Sequence, residues 1–262
     1  MLTHRECVHI FRAIGLSAGD HILVHASLRK VGSIDGGADA LLDALLQTVG
    51  ADGTVAAPTF SGIPMDDGVF DPATTTSHTG VLTEVLRQRP DSVRSLHPTH
   101  SVTAIGPRAG EFMDGHLEAD AVGIDSPCHR IAGAGGYVML LGVTHTANST
   151  IHVGEDCSGM LKAGRLKDPL SFRVRLPDGT VVGKVQDSSN SCSAGFNVLE
   201  FPLREKGQLR SFRMGSALSS VMKGQNLIDR TVDLIHAYPD ITRCKQSGCI
   251  HCDAWREHLA RE

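Results

Sequence analysis

The segment 145-HTANSTIHVGEDC-157 places two histidines, two adjacent acids and a cysteine directly after the apolar run 137-YVMLLGV-143. Three chemistries compete for it. A zinc hydrolase wants two histidines close together on one helical face, as in His-Glu-x-x-His; here they are seven apart and the Glu follows the second. A thiol nucleophile would pair Cys157 with His145 or His152, but no family-specific thiol signature surrounds it, and with seven cysteines in the chain no single one stands out. A general base would use His152, whose imidazole type titrates near neutrality and which a carboxylate can orient. Glu155, three residues on, would share its side of a helical turn. Glu200, in the apolar stretch 196-FNVLEFP-202, needs either an exposed edge or a specific partner. Spacing alone leaves the base reading standing beside a plain loop histidine.

A second group of reactive side chains lies near the carboxyl end. In 244-CKQSGCIHCDAW-255, Cys249 and Cys252 have the two-residue gap of a zinc half-site, with Cys244 before them and His251 between. Cys192 in 190-NSCSAGF-196 could complete a tetrahedral set. Structural zinc, free buried thiols and a disulfide all remain open. Zinc there would tie the tail to the body and take no part in the chemistry.

These residues need a scaffold. A helix over 3–15, a strand at 21–27, a helix with leucines at 41, 42, 45 and 46, and a strand at 54–60 make a strand–helix–strand unit. That predicts a mixed α/β sheet covered by helices. Residues 61–79 are irregular and acidic, with Asp66, Asp67 and Asp71, and read as either plain surface or a functional loop. A helix over 80–90, a strand at 101–106, a helix over 107–117 and a glycine turn into a buried strand before residue 143 follow. Residues 171–187 alternate and turn at Asp178-Gly179, which predicts an added β-hairpin. Residues 216–239 read as helix in two pieces.

Gross composition sets limits. A length of 262 residues suits one domain, 1–262, and the apolar runs fall short of the ~18 residues a membrane span requires. The amino terminus shows no export pattern, and with an odd number of cysteines a reduced, cytoplasmic setting is expected. A net charge of −4 without a basic block gives no footprint for nucleic acid. The glycines match neither a dinucleotide fingerprint nor a P-loop.

Seven stretches then carry a resemblance: 24-VHASLRKVGSIDGG-37, 53-GTVAAPTFS-61, 79-TGVLTEVLRQRP-90, 94-RSLHPTHSVTAIGPRA-109, 123-GIDSPCHRI-131, 139-MLLGVTHTANSTIHVGE-155 and 195-GFNVLE-200. In this order, with RS-x-HPTHS followed by LLG and T-x-H-x-x-E, the chain resembles the antibiotic N-acetyltransferases that modify aminoglycosides at N3. The resemblance implies a fold unrelated to the GNAT acetyltransferases. It implies transfer of acetyl from acetyl-coenzyme A to the 3-amino group of 2-deoxystreptamine, with His152 as general base. By the same resemblance Glu200 supports that base, and Glu155 lines the antibiotic side or stands behind the histidine. Donor binding maps onto Ser27, Lys30, Val31, His100 and Ser101. A cysteine at the place of Cys192 accompanies a similar GC-x-x-CDA ending in part of the family.

The chemistry agrees with this expectation. An aminoglycoside amine is largely protonated at neutral pH and must lose a proton before attack, while a thioester is already activated and needs no metal. The oxyanion needs a donor, for which Ser101 or a backbone amide around residues 30–32 could serve. Asp66, Asp67 and Asp71 would attract the polycation, which favours the loop reading. The rivals are an acetyltransferase of the same fold acting on another amine, and a catalytically silent scaffold. Oligomeric state is open.

Overall fold

The parallel heart of the molecule comes from strands whose residues are apolar on both faces. In the computed structural model, residues 1–62, 68–160, 169–187 and 192–261 are described. They form strands β1 (His21–Ala26), β2 (Thr54–Pro58), β3 (Val69–Phe70), β4 (Val93–Arg94), β5 (Val102–Ile105), β6 (Tyr137–Leu141), β7 (Pro169–Arg175), β8 (Val181–Asp187), β9 (Leu209–Met214) and β10 (Ala217–Lys223). The helices are α1 (His4–Ala13), α2 (Leu28–Val31), α3 (Gly37–Val49), α4 (Val81–Gln88), α5 (Ala109–Met113), α6 (Pro127–Gly133), α7 (Thr150–Cys157), α8 (Glu200–Glu205), α9 (Gly224–Ala237) and α10 (Ile250–Leu259).

The main sheet runs β4-β5-β2-β1-β6-β10-β9. β1 pairs in parallel with β2 and β6, and the outer strands are antiparallel. Alternation along β1 divides the core into two layers. Ile22 and Val24 pack with Phe11, Leu41, Leu45 and Leu82 from α1, α3 and α4. Leu23 faces the other way, toward Phe112, Ile131 and Val153 of α5, α6 and α7. Burial on both faces is why these strands read as continuous apolar runs. α1 opens with a capping box between Thr3 and Glu6, which satisfies two otherwise orphaned donors.

The expected hairpin forms from β7 and β8, and β3 adds to it in parallel to make a second sheet. The 216–239 stretch departs from its helical reading: β10 occupies 217–223 and only α9, from 224, is helical. β9 is a further strand that the sequence pattern does not announce. Ala, Leu, Ser and Met carry little strand preference of their own, and pairing with β6 decides the conformation of β10. The helix expected over 107–117 is limited to α5.

Candidate active site

The carboxyl ends of parallel strands are where open α/β sheets hold ligands, and a cavity of about 340 Å³ opens there. His25 and Ala26 of β1, Pro58 at the end of β2 and Val143 just beyond β6 wall it, together with His100 and His152. After β6 the chain turns at Gly142 (φ 65°) and passes through a 3-10 turn, His145–Ala147, into α7. α7 is buried from Thr150 to Asp156. It lies close to α9 because Gly154 has no side chain: a Cβ there would come within 2.5 Å of Thr231 Cβ.

His152 and Glu155 lie one helical turn apart, with Nδ1 and Oε2 separated by 2.7 Å. An ionised carboxylate can only accept, so Nδ1 carries a proton, and in the neutral ring it is Nε2 that holds the lone pair. Glu155 is fully buried. Its Oε1 accepts from Thr242 Oγ1 at 2.6 Å and from Arg243 Nη2. Burial pushes its carboxyl up, but the His152 bond and charge, Arg243 and Thr242 outweigh that and hold it below the usual carboxylate range. Phe196 meets the His152 ring edge-on, centroids 4.7 Å apart. The other two cavity histidines are kept neutral. His25 is lowered to about 3 by burial and then by His145; His100 is lowered to about 4 by burial and then by His152.

The structure places several of the expected site residues away from His152 and the cavity. Glu200 does not reach His152. It begins α8, lies 3.1 Å from His145 Nε2 and pairs with Arg204, on a second cavity of about 280 Å³ that shares Val143 with the first. Glu155, one turn along the same helix, is the carboxylate that meets His152, and it is completely buried and lines no part of the 340 Å³ cavity. Ser101 is a poor oxyanion donor, because its hydroxyl donates to the Thr59 carbonyl at 2.8 Å and accepts from Arg94 Nε at 3.0 Å. The Val31 side chain belongs to the core, and its carbonyl accepts from the Ser216 amide at 2.9 Å. Ser27 precedes α2 and Lys30 lies within it, half-buried and exposed respectively. Only His100 of the proposed donor residues lines the cavity.

Asp66 and Asp67 lie outside the described residues. Asp71 is engaged rather than free: it accepts from the Ala73 amide at 2.9 Å and pairs with Arg175 at 3.2 Å. Among the described residues, no carboxylate lines the 340 Å³ cavity. Sequence reasoning missed His25, although a polar residue at the carboxyl end of an apolar strand was a usable signal. It also missed Thr242 and Arg243, which are 87 and 88 residues from Glu155 and left no local trace.

Cys192, Cys244, Cys249 and Cys252 converge, with their sulfurs within 4.8 Å of one another. Four sulfurs around tetrahedral zinc stand about 3.8 Å apart, given Zn–S bonds of about 2.3 Å. The donor set fits structural zinc. The Cys252 amide beside Cys249 draws that thiol down to about 7, against burial, toward the thiolate a metal requires.

Comparison with known proteins agrees with this architecture. The family description aminoglycoside 3-N-acetyltransferase matches residues 23–236. Aminoglycoside N(3)-acetyltransferase III of Salmonella sp is 34% identical over 173 residues, 59% of this chain and 60% of that protein. The matched region thus spans less than two thirds of that relative's length. AAC(3)-IVa, solved as a His-to-Ala variant in complex with a gentamicin, superposes with a TM-score of 0.85 at 28% identity, covering 98% of this chain and 97% of that one. AAC-IIIb, solved with CoASH, gives 0.79 at 26% identity, covering 90% and 96%. The mixed sheet is that of these enzymes and is distinct from the GNAT topology. With most of its length matched in sequence and nearly all of it in structure, the chain belongs to the aminoglycoside 3-N-acetyltransferase family.

Proposed function

We propose that the protein transfers the acetyl group of acetyl-coenzyme A to the 3-amino group of the 2-deoxystreptamine ring of aminoglycosides. The observation that carries this reading is His152 on the cavity wall with Glu155 buried behind it, Nδ1 being bonded inward and Nε2 left to act. Nε2 takes a proton from the amine as its nitrogen attacks the thioester carbonyl. The C–N bond forms, the C–S bond breaks, and the coenzyme thiolate leaves and is protonated. Positioned general bases contribute about 10²–10⁴-fold to such reactions. The cavity is large enough for the reacting ends of the two substrates, so most of each would lie outside it. The gentamicin and CoASH bound by its structural relatives support the substrate classes.

Among the described residues no helix is long and apolar enough to cross a membrane. We read the chain as one domain working in the cytoplasm, where acetyl-coenzyme A is available and a thiol cluster stays reduced. Zinc at the four cysteines would supply cross-linking between segments rather than any step of transfer.

A second reading, with a different amine as acceptor, is favoured by the lack of carboxylates among the described cavity residues. A silent scaffold has less support. A buried Glu–Arg pair with a histidine attached is often no better for stability than apolar packing, so stability alone gives little reason to keep it. Release of free thiol from acetyl-coenzyme A, measured with a panel of deoxystreptamine compounds and unrelated amines, tests all three. Release with deoxystreptamines, abolished in His152→Ala while coenzyme A still binds in calorimetry, is the expected result. Turnover only with another amine would select the second reading, and none with any amine the third.

A further inference from the structure

The segment that clamps Glu155 has no regular secondary structure. Residues 238–249 run as turns and bends between α9 and α10, yet Thr242 is wholly buried and Arg243 nearly so. Such a segment holds a guanidinium in place only if it is anchored. Trp255 Nε1 donates to the Pro239 carbonyl at 2.9 Å, and Arg256 donates to the carbonyl of Cys244. The third anchor is Cys244 itself, which directly follows Arg243 and belongs to the thiol cluster. On the other side, Cys192 directly precedes Ser193 of the cavity wall. Gly195 packs so tightly that a Cβ there would lie 2.2 Å from the Thr242 carbonyl oxygen. The four sulfurs therefore join the cavity wall, the Glu155 clamp and the tail helix.

We propose that the four-cysteine cluster positions the base: with zinc bound it fixes Thr242 and Arg243 against Glu155 Oε1, and through Glu155 it fixes Nδ1 of His152. Thr242 and Arg243 are positioning residues, because they touch Glu155 and line no part of the cavity. Around the imidazole stand Glu155 on its own helix, Arg243 behind that carboxylate, Phe196 on the 3-10 turn Phe196–Leu199, and His100 across the cavity. Removing the clamp leaves Glu155 a buried carboxylate without its counter-charge. It then takes up a proton or turns away, and His152 loses the partner that orients it and stabilises its charged form. This inference rests on the base reading above.

The test uses the full chain loaded with zinc, its metal content measured by elemental analysis. The titration of the His152 imidazole is followed by nitrogen-15 NMR before and after chelation, beside steady-state kinetics and thermal melts. Zinc removal is expected to move the His152 midpoint by about half a pH unit or more. It should reduce kcat by roughly tenfold, with KM for acetyl-coenzyme A little changed. Arg243→Met with zinc retained should reproduce both effects, and Arg243→Lys should recover part of them. If chelation unfolds the chain, Cys249→Ser weakens the cluster at one of its two part-exposed thiols and is read the same way. A chain that binds no zinc would overturn the proposal, as would a folded zinc-free chain with unchanged His152 titration and kcat. His152→Ala with full turnover would instead sink the base assignment, while the imidazole titration would still report any coupling to the cluster.

Discussion

The imidazole of His152 can be oriented through Nδ1 by one carboxylate only, and the two candidates differ in burial as well as position. Glu155 is enclosed and triply bonded, whereas Glu200 is part-exposed and shared between His145 and Arg204. Glu155→Gln should lower kcat by about 10² or more, since an amide can present the wrong group to Nδ1 and upset the tautomer. Glu200→Gln should cost less than about fivefold, the change being confined to a surface-reaching pair. Parallel kinetics on both variants check this, and a reversal of the order would return the supporting role to Glu200. The three-residue spacing made the His152–Glu155 contact legible in the sequence. Nothing local revealed which of two histidines Glu200 would meet, because that depends on where the 3-10 turn at 145–147 leaves His145.

At the scale of elements, the site depends on the approach of α7 to α9. Gly154→Ala would drive a methyl into Thr231 and toward the Ile228 carbonyl, at 2.5 and 3.1 Å. Overpacking of this kind typically costs about 1–3 kcal/mol, so the melting temperature should fall by several degrees and kcat should fall with it. Unchanged melting would mean that the helices part without penalty. Most elements were legible because their period is strong: β1, β2 and β6 are apolar runs, and α3 carries leucines one and four apart. β9 and β10 were not, since a serine-rich strand followed without a loop by α9 imitates a broken helix. Its identity is fixed by backbone pairing with β6, a partner some 80 residues earlier.

For the molecule as a whole, three buried neutral histidines make stability depend on pH. Burial lowers His25 to about 3, His100 to about 4 and His116 to about 3, while unfolded histidines titrate near 6.5. The folded values lie below the unfolded one, so the unfolded chain takes up protons first as pH falls. Stability is complete above about pH 6.5 and declines from there toward pH 4, by up to about 1.4 kcal/mol per pH unit for each histidine. Urea midpoints at pH 7.5 and pH 5 check this. His116→Gln should flatten the slope, and an unaltered slope would remove His116 from the account. Chain order has its own consequence. His152 and Glu155 leave the ribosome well before the guanidinium that neutralises the carboxylate, 88 residues downstream. A nascent chain can complete every strand of the main sheet, which ends with β10 at Lys223, while the charge at its centre still has no counter-ion. Assembly of the site therefore follows completion of the main sheet, withheld until the segment after α9 folds back to close it.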